Sequence, residues 1–113
     1  MKKLALILIG IFAFSLIHGQ KQKEISLQAD DQFLNFPVKR SSEETMARVQ
    51  MDGKVFDEFS IKLATKDPDF WTFLDVSRFQ GKELTIEVDN EAIASEALEM
   101  IHVDSRFPGQ DNL

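Results

Sequence analysis

Apolar residues in this chain recur at every second position in short blocks, and turn-forming residues separate the blocks. A period of two is the spacing at which neighbouring side chains leave opposite faces of a strand, so each block can bury one face and wet the other. Ile25, Leu27 and Ala29 alternate with Ser26 and Gln28, and Leu34, Phe36 and Val38 alternate with Asn35 and Pro37. Ala47, Val49 and Met51 then face one way, with Met46, Arg48 and Gln50 facing the other. The next dipeptide, Asp52-Gly53, tolerates positive φ and suits a type I′ hairpin turn. The returning strand is expected to carry Val55, Phe59, Ile61 and Leu63 on one face, and the phase slip at Phe56-Asp57-Glu58 predicts a bulge.

Two further strands read Phe70–Leu74 and Leu84–Val88. In the second, Leu84, Ile86 and Val88 point inward while Thr85 and Glu87 stay wet. Residues 70–74 are apolar on both faces, which fits a central strand or one whose outer face is covered by something else. Between the two, residues 75–82 suit a short helical turn that sends Phe79 toward the core and exits at Gly81. Past Asn90, a fair N-cap, Ile93, Ala97, Met100 and Ile101 form one helical stripe opposite Ser95, Glu96 and Glu99. A short amphipathic helix is one reading and a last strand at residues 100–103 is the other. Residues 104–113 have connector composition without a period. The expected fold is all-β, an antiparallel jelly-roll-like sandwich over residues 20–103, with room for one short C-terminal helix.

Met1-Lys2-Lys3 followed by an apolar run from Leu4 to Ile17 reads as a secretory signal peptide over residues 1–19, cleaved after Gly19. The run is shorter than the ~20 apolar residues a spanning helix needs, although an uncleaved anchor is the alternative. With no cysteine in the chain, neither a lipid-modified cysteine nor a disulfide is available. Export to the periplasm or the extracellular space is therefore expected, with no stable membrane insertion after cleavage. Losing residues 1–19 removes Lys2 and Lys3 and no acid, so the formal charge moves from -6 to -8. An acidic product lacks the clustered cations that phosphate backbones require, and nucleic acid is excluded as a partner.

Little in the sequence announces chemistry. His102 is the only histidine after residue 19, and without cysteine neither a nucleophile with its base nor a zinc set can be named. Acids are plentiful, at Asp30-Asp31, Glu43-Glu44, Asp57-Glu58 and Asp67-Pro68-Asp69. Abundance alone selects no pair at the separation that glycoside hydrolysis needs, and Asp67 with Asp69 is a thin start for calcium. No catalytic residue, metal ligand or cofactor is assigned. Trp71 and Phe73, beside Phe70, are the candidate carbohydrate-binding residues, because flat rings stack on sugar faces. The same rings also serve as core or domain-interface filling, at ~150–250 Å² each.

The order of residues says more. Phe33-Leu34-Asn35-Phe36-Pro37-Val38, then Met51-Asp52-Gly53-Lys54-Val55, Pro68-Asp69-Phe70-Trp71, Leu74-Asp75-Val76-Ser77, Gly81-Lys82 and Pro108-Gly109 together resemble the N-terminal β-sandwich module of bacterial glycoside hydrolase family 32 enzymes. These are levanases, inulinases and related β-fructosidases, and the resemblance runs from about Leu34 to Leu113. In that family a five-bladed β-propeller follows and holds catalytic acids in Asn-Asp-Pro-Asn, Arg-Asp-Pro and Glu-Cys stretches, none of which occurs in this sequence. The resemblance thus implies a non-catalytic accessory module or fragment of a fructan-degrading enzyme, with residues 104–113 as the connector. Its implied partner is the catalytic propeller, with fructan or another glycan as a further possible ligand. A free-standing secreted glycan-binding module is the alternative.

Overall fold

A computed structural model describes residues 22–112, so the expected signal peptide over residues 1–19 lies outside the described residues. Among the described residues, seven strands form two antiparallel sheets with one short α-helix, an all-β sandwich. The strands are β1 (Gln22–Ser26), β2 (Phe33–Val38), β3 (Thr45–Met51), β4 (Lys54–Ile61), β5 (Phe70–Asp75), β6 (Glu83–Val88) and β7 (His102–Asp104). One sheet has the order β1-β6-β3-β4 and the other β5-β2-β7. Among the described residues no helix is long and apolar enough to cross a membrane.

The period-two pattern sets the layers. Leu34, Phe36 and Val38 of β2 meet Ala47 and Val49 of β3 and Leu84, Ile86 and Val88 of β6, all buried. Phe36 packs edge-on to Phe59 of β4 with centroids 5.2 Å apart, joining the two sheets across the core. β4 then leaves its sheet: Leu63 bridges to Val38, and the Ala64 amide donates to the Pro37 carbonyl. One corner of the sandwich is thereby stitched shut by the chain itself.

Turn chemistry agrees with the reading at Asp52 and Gly53, whose φ values of 53° and 78° are those of a type I′ turn. The bulge is also present, since Val49 pairs with Asp57 and Gln50 with Val55, leaving Phe56 unpaired. Its consequence corrects one expectation. The extra residue turns Phe56 to the core, where it meets Phe79 at 4.8 Å, and turns Val55 outward to 49% exposure. β1 also ends earlier than the alternation suggested, so Leu27 is buried but Ala29 is exposed.

The helix α1 (Glu91–Met100) connects the sheets, and Asn90 caps it by accepting from the Ala92 amide. Both C-terminal readings hold in succession, because the helix ends at Met100 and β7 begins at His102. The buried stripe is Ala94, Ala97, Leu98 and Ile101, rotated from the expected one so that Ile93 and Met100 are only partly covered. That stripe rests on β1, β6 and β2 and closes one side of the sandwich. On β1, Lys23 faces inward with Ile25 and donates to the carbonyls of Leu98 and Ile101 at 2.9 and 2.8 Å. Its ammonium thus occupies the negative end of the helix dipole.

β5 is an edge strand, which corrects the central-strand alternative for residues 70–74. Its apolar outer face has the other explanation, a cover. Residues 105–112, which composition alone marks as connector, fold back over the three-stranded sheet and bring Phe107 onto it.

Candidate functional site: the aromatic face of the three-stranded sheet

The two outer faces of the sandwich differ in kind. On the four-stranded sheet, Arg48 lies between Glu58, Glu87 and Asp89, with Gln50 bonded to Glu87. Hydrogen bonds from Arg48 to Asp89 and Glu58 push its pKa further up, which fixes a charge that arginine carries anyway. This is a solvated polar face.

On the three-stranded sheet the register places Asn35 between Phe73 and His102, and Pro37 beside Trp71. With Leu34, Phe36 and Val38 committed to the core, the outer row is Phe33, Asn35, Pro37, Trp71, Phe73 and His102. Phe33 meets Phe73 and Phe107 edge-on, each at 5.2 Å, and Phe107 stacks on Phe73 at 4.0 Å with 14° between planes. Trp71 is half-buried and stands edge-on to His102 at 5.2 Å. Both sequence candidates therefore share one face of one edge strand. Phe107 occupies a face of the Phe73 ring, although 39% of Phe73 remains exposed.

Beneath the rings lies a polar knot. Asn35 is fully buried, and its amide nitrogen donates to the Arg106 carbonyl at 3.2 Å and contacts His102 Nε2 at 3.5 Å. His102 Nδ1 lies 2.9 Å from the Met100 carbonyl, which can only accept, so Nδ1 carries the proton and Nε2 accepts from Asn35. Sequence reasoning placed Asn35 correctly on the outer face but left it wet, and it missed His102 as the neighbour of Trp71 and Phe33 and Phe107 as neighbours of Phe73. An amide inside the string Phe-Leu-Asn-Phe-Pro was the available signal, because a polar residue in so apolar a strand needs a partner.

A further concavity among the described residues is the open side between β4 and β5, a groove of about 590 Å³ lined in part by Arg40, Glu44, Ser60, Lys62, Phe70 and Thr72. Its polar groups answer one another. Arg40 stands over the Phe70 ring at 5.1 Å, and the Ser60 hydroxyl donates to Glu44 at 2.9 Å. In the Asp67-Pro68-Asp69 turn, Asp69 accepts from the Arg40 amide and the Asp67 carbonyl from Lys39, so the turn is tied into the fold. Among the described residues no group of three or more His, Cys, Asp or Glu side chains converges as a metal site. No family model matches this chain, and neither does any curated protein or solved structure.

Proposed function

We propose that this chain is a non-catalytic N-terminal accessory module of an exported fructan-degrading glycoside hydrolase, packing against the catalytic β-propeller through the aromatic face of β2, β5 and β7. The observation that carries the docking half is the row of Phe33, Trp71 and Phe73 on one outer face, opposite a face built around Arg48 and its acids. Exposed rings at a domain surface lose free energy when a neighbour covers them, at ~25 cal/mol per Å² of apolar area. The fructan half rests on the family resemblance. The strings Phe33–Val38 and Phe70–Ser77 that carry much of it supply β2 and β5, the strands that build this face.

The test is a calorimetric titration of the chain with a family 32 propeller that has been separated from its own sandwich. Saturable binding is expected. Replacing Trp71 and Phe73 together by alanine should weaken it by at least about tenfold, since buried aromatic anchors at interfaces carry ~2 kcal/mol or more each. Glu87→Ala, on the polar face, should leave the affinity within about twofold. Absence of binding, or equal loss from the Glu87 variant, contradicts the proposal.

The 39% exposure of Phe73, on the same strand face as Trp71, favours the free-standing glycan-binding module as the second reading. Trp71 is the only tryptophan, so titration with levan or inulin reports on that face directly through its fluorescence. An unshifted spectrum at saturating glycan removes this reading.

A further inference from the structure

We propose that residues 105–112 form an acid-released strap over the aromatic face, with His102 as the proton sensor and the Asn35 amide as the element for which proton and strap compete. This goes beyond the docking reading and does not depend on which partner the face receives. Both hydrogens of the Asn35 amide nitrogen are engaged, one on His102 Nε2 and one on the Arg106 carbonyl. Its oxygen, buried with it, has no hydrogen-bond partner. A buried amide oxygen left bare is unfavourable, so the observed orientation persists only because the histidine and the strap both ask for a donor.

A second proton on His102 reverses one of those demands. Nδ1 still donates to the Met100 carbonyl, but Nε2 now carries hydrogen and faces a nitrogen that also carries hydrogen. Turning the Asn35 amide by half a revolution gives Nε2–H an acceptor and moves the amide hydrogens to the buried position where the oxygen had no partner. The same turn removes the donor from the Arg106 carbonyl and sets an oxygen against it. The proton and the strap therefore cannot both be satisfied.

The strap's other holds are shallow. Phe107 stacks on Phe73 and meets Phe33 edge-on, whereas the bond from its amide to the Gln110 side chain and the Arg106–Asp111 pair lie within the strap and do not tie it to the sheet. The charged groups around His102 do not substitute for Asn35. Asp104 and Asp75 both pair with Phe33, in the row next to that of Asn35 and His102: Asp104, on β7 itself, accepts from the Ser105 amide, and Asp75 lies across β2 on β5. Arg106 and Asp111 of the strap satisfy each other, and Lys23 of β1 is spent on the carbonyls of Leu98 and Ile101. β2 contributes only the neutral Asn35 to this contact.

Histidine is the side chain whose charge changes between about pH 5 and 8, which sets the range of the experiment. In proton NMR of the full chain, cross-peaks between the Phe73 and Phe107 rings report strap docking, while the His102 Hε1 shift reports protonation. The cross-peaks are expected at pH 7.5 and should disappear on acidification with the same midpoint as the His102 shift. In His102→Gln, which keeps an acceptor and cannot titrate, they should persist to pH 5. Should that variant fail to fold, the two midpoints in the unaltered chain decide alone. Cross-peaks that survive the complete titration of His102, or that vanish at an unrelated midpoint, overturn the proposal, as does their loss from a folded His102→Gln chain at the same pH.

Discussion

Phe36 and Asn35 are adjacent in β2 and fully buried on opposite faces of the sheet, one in hydrocarbon and one in a polar knot. For Phe36 the alternation was sufficient, since a ring flanked by Leu34 and Val38 at period two has one place to go. Truncating Phe36→Ala should cost about 3–5 kcal/mol, a large part of the stability of a small domain, read as a lowered urea midpoint. For Asn35 the alternation gave the face but not the burial, because the cover arrives from residues 105–112, far away in sequence. At Asp75, hydrogen bonds from the Ser77 hydroxyl and amide, with the Arg78 charge assisting, hold the carboxyl below its ordinary value. A lowered folded-state value means that stability from this group is present in full above the ordinary carboxylate value and is lost as pH falls from there through the lower folded-state value. Ser77→Ala should bring the Asp75 titration, followed by carboxyl NMR, back up toward the ordinary value.

At the scale of elements, α1 has 10 residues and is too short to persist alone in water, so its ends matter. Asn90 holds the N-terminus with its side chain, while its own amide donates to the Thr45 hydroxyl at 3.0 Å and so fixes the helix start to β3. Asn90→Ala should cost about 1 kcal/mol in denaturant unfolding. Lys23→Met keeps the apolar stem and removes two charge-assisted bonds to the helix C-terminus, an expected loss of about 1–3 kcal/mol by the same measurement. The helix cap was legible because it is local. The lysine was not, because its partners lie 75 and 78 residues further along the chain and no spacing rule links them. The β4 bulge was legible as a phase slip, yet its effect on Val55 was not, because only the pairing register shows which residue is left over. The double-sided apolar strand at residues 70–74 left two explanations open, and its edge position beside β2 decides between them.

For the whole molecule, alternation predicted two layers around one core, and two antiparallel sheets enclose it. What the pattern could not supply is the asymmetry between the outer faces, since an outward position reads as wet whether it faces water, a strap or another domain. Arg48 and its acids contribute little to stability at such exposure, and Arg48→Met should change it by no more than about 1 kcal/mol. The aromatic face is different, and on it the proposed role depends. Hydroxyl-radical footprinting of the chain, alone and bound to a family 32 propeller, tests that role most directly. Protection is expected to concentrate at Phe33, Trp71, Phe73 and Phe107, with Met46 and Val55 on the opposite sheet unchanged. Protection centred on the four-stranded sheet, with Trp71 and Phe73 oxidised as fast as in the free chain, would contradict it.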